Sequence, residues 1–488
     1  MLEKLKNLTR ASLVYGVGHI LTRLVTFLLL PYYSHKISPA EYGEVSLYFL
    51  FLAVVQTFFL YGLDIAYLRY FNLAKEEKDR RTITGTTFWA TVLSSSGLAL
   101  LIIIGSGTLG SLLIAHPVHP EQTGAMIRLC AGILFFDTLS AFPFLLLRST
   151  HRPLRFTAVK LLNVCVNIGL NIWFVGYLEM TTAGVLWANF LASLFTLIVL
   201  LPRIIRSGAF TIDRPLFREM LRFGLPNIPT YLFVMVVELA DRKIIELYRG
   251  IEEAGLYSAG YKLGMFMAVV TAAFRFAWQP FFLSHADDAE ARPMYARVLT
   301  YYLLVTGVLF LGLVFFIDPL IKHDWPGMGP IIDARYWAGL SVFPIILLAH
   351  IFDGVYANLM VGIYLKKQTR KLPLVTGTAA VFTIAACLLL VPTYGMMAAA
   401  WITLCAFVLQ AGLLYVVVNK VYPVPYEWSR IGKLTLLCVV LYFVAVYVGE
   451  NSIAVRVLLL VFIPFGLALL KFYDDRERFY IRKLFGRQ

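Results

Sequence analysis

Apolar residues gather in fourteen long stretches along this 488-residue chain, and short polar gaps separate them. The hydrocarbon core of a bilayer is about 30 Å thick and needs roughly 20 apolar residues per helix. Each stretch is therefore predicted to be a membrane-spanning helix. The predicted spans are 9–33, 45–71, 82–105, 123–147, 156–178, 183–202, 220–248, 255–283, 295–317, 335–364, 372–391, 396–419, 431–449 and 453–472.

The amino-acid composition supports this prediction. Hydrophobic residues make up 59% of the chain and charged residues 15%, whereas roughly a quarter of the residues in soluble domains are charged. All gaps between spans are short, which leaves no room for a separate extramembrane domain. We therefore predict an all-α polytopic membrane protein with about fourteen transmembrane helices, which acts within the membrane.

The net charge of +14 is distributed unevenly along the chain. With these spans, the two ends and the even-numbered gaps hold 25 of the 43 lysines and arginines, and the odd-numbered gaps hold 3. Because basic loops favour the cytoplasmic side, both termini are predicted to be cytoplasmic and the odd-numbered gaps to lie on the outer side of the inner (cell) membrane. The basic loops favour anionic lipid headgroups, so the charge predicts contact with membrane lipids and not with nucleic acid.

The five cysteines all lie inside apolar stretches, without CxxC spacing or a neighbouring histidine cluster. They are Cys130, Cys165, Cys387, Cys405 and Cys438. The sequence therefore predicts neither a disulfide nor a metal site, and it holds no pattern for a cofactor. The first apolar run is too long for a cleavable signal and lacks a small-residue exit, so the first span is expected to remain as a helix.

Two internal matches indicate a repeat. EYGEVS at 41–46 opens the second span and EAGLYS at 253–258 opens the eighth, at an offset of 212 residues. GVLWA at 184–188 and GMMAA at 395–399 open the sixth and twelfth spans, at an offset of 211. The shared offset predicts two pseudo-symmetric six-helix lobes, 1–205 and 206–425, with two appended helices and a basic tail at 426–488.

Several motifs resemble those of one known family. Leu30-Pro31 ends the first span and is followed by SPAEYG at 38–43. Asp241-Arg242 precedes EEAGLYSAGY at 252–261 in the second lobe. With these motifs and fourteen spans, the chain resembles the polysaccharide transporter family of the MOP flippase superfamily, the flippases of O-antigen and exopolysaccharide.

That resemblance implies a V-shaped pair of six-helix bundles, similar to multidrug and toxin extruders, which opens alternately to the cytoplasm and the periplasm. The implied cargo is an undecaprenyl-diphosphate-linked oligosaccharide for O-antigen, capsule or exopolysaccharide synthesis. Polysaccharide assembly proteins are possible partners of such a flippase. The implied function is transport, and not an enzymatic reaction.

A polar stripe on the first span suits such a cargo. Ser12, Gly16, His19, Arg23 and Thr26 follow one another at three- and four-residue spacing and therefore share one helix face. Arg23 lies about 20 Å from the inner end, too deep to reach water easily. Its guanidinium can hold phosphate oxygens bidentately, or it can pair with an intramembrane carboxylate. His19 can line the same cavity or pack against neighbouring helices.

A second polar stripe lies on the seventh span and comprises Asn227, Tyr231, Glu238 and Asp241 or Arg242. Glu238 and Arg242 are four residues apart and can simply pair. Asp241 can then contact Lys262, which enters the next span from the same side. Arg69, Arg128 and Lys160 lie near an interface, so snorkelling explains their positions more simply than function.

These arguments give two sets of candidate residues. The set proposed to line a diphosphate and sugar cavity comprises Arg23, Lys262, Arg275, His19 and Tyr231. The set proposed for charge balance or coupling comprises Asp64, Asp137, Glu238, Asp241 and Asp353.

Three other functions remain open. A cation-coupled multidrug antiporter is disfavoured because the first span holds His19 and Arg23 but no acidic residue. A lipid II flippase handles a chemically similar cargo, and the sequence separates it poorly. A membrane polymerase or ligase needs acid and base residues on a large outer loop, whereas the loop at 318–335 has mixed charge without a recognisable nucleophile and base.

Overall fold

A computed structural model describes residues 27, 29–150, 152–285, 291–327, 329–366, 368–447, 452–475 and 477–478. Within these ranges the regular elements are helices, and an isolated bridge joins Trp325 to Gly329. The chain is a multi-pass, all-helical membrane protein, as the hydrophobic pattern predicts.

The α-helices are short at the start of the described chain and long in the apolar segments. They are α1 Leu29–Lys36, α2 Pro39–Leu60, α3 Leu63–Leu73, α4 Glu77–Ile104, α5 Ser106–Leu113, α6 Thr123–Ser149, α7 Pro153–Asn171, α8 Thr181–Ser207, α9 Arg214–Gly224, α10 Ile228–Arg249, α11 Ile251–Ser284, α12 Ala291–Lys322, α13 Phe343–Leu365, α14 Leu372–Asn419, α15 Trp428–Tyr447 and α16 Ile453–Leu469. A π-helical turn, Ile172–Tyr177, extends α7, and 3₁₀ turns occupy Leu225–Asn227, Ala334–Val342 and Thr369–Lys371.

The predicted spans agree well with these helices. In the described part of the chain, 11 helices are long and apolar enough to cross a membrane. One of them contains both the eleventh and twelfth spans, because α14 continues across a break at Gly395, where φ is 59°. The fourteenth span corresponds to α16, which has 17 residues. Most of the first span, 9–33, lies outside the described residues.

The chain divides into two compact units. The first comprises Met1–Leu263, Ile332–Ile345 and Arg370–Gln410, and the second comprises Gly264–Ile331, Ile346–Thr369 and Ala411–Gln488. The lobe boundaries expected from the repeat, at 205 and 425, remain a prediction.

The first unit has an extensive apolar core. One cluster joins α2, α4 and α6 and includes Leu47, Phe59 and Ile127. A second cluster surrounds Tyr67 and Met220 and packs the amphipathic helix α9 against α3 and α4. In the second unit a separate core joins α12, α15 and α16. Helical packing of this kind follows from apolar faces that recur at helical spacing.

Two helices of the first unit break at glycines that pack against each other. Tyr61 and Gly62, with φ of 34° and 77°, separate α2 from α3. Gly224 ends α9 before a 3₁₀ turn. A Cβ atom built on Gly224 would stand 2.6 Å from the carbonyl oxygen of Gly62, so the two backbones meet without room for a side chain. The positive φ at Gly62 is a conformation that glycine adopts without strain.

Candidate functional site

The repeat-related segments meet at the predicted outer ends of their helices. Gly43 on α2 and Gly255 on α11 occupy equivalent positions in the two repeats, and their backbones touch. A Cβ atom built on Gly255 would lie 2.9 Å from the nitrogen of Gly43 and would overlap the carbonyl oxygen of Pro39. Ser38 fixes the start of α2 through a capping box with Glu41. The segment that the repeat identified is therefore a helix crossing.

Three glutamates hold backbone amides around this crossing. Glu44 accepts a hydrogen bond from the amide of Val118, and Glu246 accepts one from the amide of Ala115 at 2.7 Å. Glu253 accepts one from the amide of the residue after Gly395 at 2.6 Å. Glu44 and Glu246 are buried. Carboxylates that receive backbone N–H groups form strong, charge-assisted hydrogen bonds, so Glu44 and Glu246 fix the loop after α5 and Glu253 fixes the break within α14.

The turn between α1 and α2 also takes part in the contact between the two repeats. The hydroxyl of Ser34 accepts a hydrogen bond from the amide of Asp333 at 3.1 Å, and Arg335 donates one to the carbonyl of Ser34 at 3.1 Å. The Tyr336 hydroxyl donates to the carbonyl of Ile37 at 3.0 Å. Partial burial raises the pKa of the Asp333 carboxyl, but hydrogen bonds from Arg335 outweigh burial and keep this pKa below its usual value.

We call this set of interactions the outer contact. It comprises the Gly43–Gly255 crossing, the hydrogen bonds from backbone amides to Glu44, Glu246 and Glu253, and the Ser34–Asp333 corner. All of it lies within the first compact unit. It joins residues of the predicted first lobe to residues of the predicted second lobe.

A buried polar cluster lies deeper on α10, α11 and α14. Asp241 accepts hydrogen bonds from the hydroxyls of Tyr257 and Thr403, the latter at 3.2 Å, and pairs with the guanidinium of Arg242 at 3.2 Å. Arg242 also donates to the backbone carbonyl of Glu238 at 2.6 Å and lies over the ring of Tyr261.

Two expected contacts of this region are therefore corrected. Arg242 pairs with the adjacent Asp241, and its contact with Glu238 is to the backbone carbonyl. Asp241 and Lys262 form no ion pair or hydrogen bond in the part of the chain that the structure describes. Lys262 instead lies 5.9 Å from the centre of the Tyr33 ring. The hydroxyls of Tyr257 and Thr403 reach Asp241 from other helices and satisfy it.

A polar pocket of about 360 Å³ opens between α6, α7 and α8. It is lined by Gln56, Asp137, Ser140, Ala141, Phe144, Lys160, Asn163, Asn167, Asn189, Ala192, Ser193 and Thr196. Asp137 and Ser193 both line the pocket. The Lys160 ammonium lies 4.5 Å from the centre of the Phe144 ring and interacts electrostatically with Asp137. An acidic and a basic side chain thus line one cavity between three helices.

The sequence analysis did not assign Lys160 to this site, because its position near the end of a predicted span was explained by snorkelling of the side chain. A signal was nevertheless present. Asn163 and Asn167 are four residues apart on α7, and Asn189, Ser193 and Thr196 recur at helical spacing on α8. Amide and hydroxyl groups that line one face of an apolar helix indicate a polar interior surface. Glu44 and Glu246 were also missed, because their loop partners are remote in sequence.

The remaining candidates are not among the residues that line this pocket. In the second unit, Arg275 and Asp353 form an ion pair with atoms 2.7 Å apart. Tyr231 lies half-buried on α10, and Asp64 is half-buried in the first turn of α3. Arg23 and His19 lie outside the described residues. Among the described residues, no group of three or more His, Cys, Asp or Glu residues is placed to hold a metal ion.

Sequence comparison identifies a family. The model of a family described as polysaccharide biosynthesis protein matches residues 8–285. An uncharacterized membrane protein of Haemophilus influenzae is 24% identical over 292 residues, which cover 59% of this chain and 68% of that protein. Lsg locus protein 1 of the same organism is 25% identical over 288 residues, which cover 56% of this chain and 65% of that protein. The chain thus spans about two thirds of either relative.

Comparison with solved structures identifies the fold. The lipid II flippase MurJ in an inward closed conformation matches 97% of this chain and 100% of its own, with a TM-score of 0.74 and 13% identity. An inward-facing multidrug transporter of the MATE family matches 86% of this chain and 99% of its own, with a TM-score of 0.67 and 13% identity. The chain therefore belongs to the polysaccharide biosynthesis protein family and has the fold of the MOP-superfamily transporters.

Proposed function

We propose that this protein is a flippase that moves a polyprenyl-diphosphate-linked oligosaccharide from the cytoplasmic to the outer leaflet by alternating access. Its product would serve the synthesis of a cell-surface polysaccharide such as O-antigen, capsule or exopolysaccharide. The observation that carries the proposal is the outer contact, in which two repeat-related segments meet at one end of their helices in a member of a polysaccharide biosynthesis family.

The composition of the outer contact suits a closure that reopens. Its interactions are a backbone crossing at Gly43 and Gly255 and hydrogen bonds from backbone amides to glutamates. Water can replace such hydrogen bonds when the helices separate, so their net contribution to closure is modest. A large apolar interface would be costly to expose. Alternating access needs contacts that reopen at low cost, formed first at one end of the helices and then at the other.

The cargo places two demands on the membrane interior. Its diphosphate needs positive charge, and its sugars need polar groups, whereas the polyprenyl tail can remain in lipid. We assign the diphosphate and sugar cavity to Arg23, His19, Tyr231, Lys262 and Arg275. Arg275 is held by Asp353 in the described state, so a phosphate that binds Arg275 would displace the Asp353 carboxylate.

Charge balance during the cycle is assigned to the acidic candidates. Asp353 and Asp241 already neutralise an arginine each. Asp137 faces a pocket that also holds Lys160, so a proton can be taken up or released there without leaving an isolated charge. Asp64 and Glu238 are assigned to the same group.

The test is transbilayer movement in proteoliposomes. A lipid-linked oligosaccharide is incorporated, and its appearance on the far side is read with a membrane-impermeant glycosidase. We expect exposure that requires the protein. Movement of lipid II alone would support the lipid II flippase, and efflux of organic cations without glycan movement would support the multidrug antiporter. A change in glycan chain length would indicate a polymerase or ligase.

Arg23 provides a matched test of the cavity. Arg23→Ala is expected to abolish movement while the protein remains in the membrane at normal abundance, because the diphosphate loses a guanidinium partner. Arg128→Ala is the control, since Arg128 is exposed on α6 and its Nε donates to the backbone carbonyl of Gly124. Full activity of Arg23→Ala at normal abundance would refute the assignment of Arg23.

A further inference from the structure

A basic groove lies at the predicted inner end of α7 and α8, outside the sites described above. Its volume is about 400 Å³. It is lined by Leu147, Arg155, Ala158, Val159, Val199, Leu200, Pro202, Arg203, Arg206 and Ser207. Arg155, Arg203 and Arg206 supply the polar part, and the aliphatic residues form its walls. The groove therefore joins concentrated positive charge to an apolar surface.

The three arginines have no acidic partner. None of the ten lining residues is acidic, and these arginines form no ion pair or side-chain hydrogen bond within the ranges that the structure describes. The Nε atom of Arg203 is enclosed without a hydrogen-bond partner. Arg152 and Arg155 are close enough to act electrostatically on Arg203. Like charges gathered in this way repel one another and favour a bound anion.

The position of the groove indicates where that anion comes from. Arg203 lies 22 residues after Thr181 on α8, which is about 33 Å along the helix and close to the thickness of the hydrocarbon core. Arg155 is the third residue of α7. Val199 and Ala158 are exposed on the groove walls. The arginines therefore lie at the level of lipid headgroups, with an apolar wall that extends toward the acyl chains.

We propose that this groove binds an anionic phospholipid, with the headgroup phosphate at Arg155, Arg203 and Arg206 and an acyl chain along Ala158, Val159 and Val199. Guanidinium groups match the geometry of phosphate oxygens and bind them bidentately. Basic pockets between transmembrane helices on the cytoplasmic side suit phospholipid headgroups. The apolar wall distinguishes this ligand from free phosphate, because only a lipid covers it.

The experiment is native mass spectrometry of the full-length protein in detergent, titrated with phosphatidylglycerol, phosphatidylcholine or inorganic phosphate. We expect phosphatidylglycerol to bind at least about tenfold more tightly to the wild type than to the Arg155→Gln/Arg203→Gln double variant, because two charge-assisted contacts are lost. Arg218→Gln is the control, since Arg218 is exposed on α9 and is not among the residues that line the groove. It should bind the lipid as the wild type does.

Other outcomes would overturn the proposal. Equal affinity of the wild type and the double variant for phosphatidylglycerol would show that the groove is not the site. Displacement of the lipid by equimolar inorganic phosphate would identify a free-phosphate site instead. If the double variant does not fold, Arg206→Gln replaces it, because Arg206 is exposed, and an unchanged affinity there contradicts the proposal. The measurement involves no transport, so it is independent of the proposed flippase function.

Discussion

The crossing of α2 and α11 provides a sharp test of the outer contact. We expect Gly255→Ala to shift the protein toward a state in which the outer ends are apart. The added Cβ atom would lie 2.9 Å from the nitrogen of Gly43 and 2.8 Å from the carbonyl carbon of Pro39, whereas ordinary contacts begin at 3.4 Å. The neighbours are backbone atoms and cannot turn aside. The helices must therefore separate by at least about 0.5 Å.

The size of the effect follows from this overlap. Overpacking of a well-packed contact costs about 1–3 kcal/mol, which changes the ratio of closed to open states roughly 5- to 150-fold. Gly97→Ala is the matched control, because it makes the same chemical change where no atom lies within 4 Å. Its expected effect on the outer contact is nil.

The assay is double electron–electron resonance in nanodiscs. Spin labels are attached to cysteines at 121 and 252, two exposed positions on predicted outer loops, in a background without the five native cysteines. Gly255→Ala should add or enlarge a population at longer distance, and Gly97→Ala should give the wild-type distribution. A folded Gly255→Ala variant with an unchanged distribution would refute the reasoning.

Three further predictions concern charged groups. Glu246→Gln should weaken the outer contact and lengthen the same spin-label distance, because the backbone amide of Ala115 loses the charged carboxylate that accepts its hydrogen bond at 2.7 Å. Lys160→Met should lower the free energy of unfolding in detergent by up to about 1 kcal/mol, since Asp137 loses a nearby cation, and Asp137→Asn in the same chain should restore part of it; simple additivity would contradict this. Asp353→Asn should slow glycan movement at least about tenfold. Its melting temperature should change little, because the partner Arg275 is half-exposed and ion pairs of this kind contribute about 0–1 kcal/mol to stability.

The hydrophobic pattern predicted most of the helices because a membrane span depends on a local property, a run of about 20 apolar residues. The repeat was also visible, and it located the segments around Gly43 and Gly255. Their mutual contact was not predicted, since two equivalent segments can face each other or lie apart. The break at Tyr61 and Gly62 was missed because the apolar run continues across it.

The polar sites were harder to predict because their partners come from distant helices. Asp241 is satisfied by Thr403, which is 162 residues away in the chain, so spacing on one helix suggested Lys262 instead. Depth along α7 suggested that Lys160 snorkels, whereas packing of α6 and α8 around it places Asp137 in the same pocket. Pairings of this kind depend on helix packing and rotation, which a linear pattern does not specify.

The most direct test of alternating access is glycan movement with the outer contact locked. The hydroxyl oxygen of Ser34 and the backbone amide nitrogen of Asp333 are 3.1 Å apart. Both residues are replaced by cysteine, and the two cysteines are joined by a short reducible bis-methanethiosulfonate in proteoliposomes. The account predicts that the crosslinked protein moves no lipid-linked oligosaccharide, that a reductant restores movement, and that either single cysteine is unaffected by the reagent. Full movement while the crosslink is intact, or no movement in any state, would contradict it.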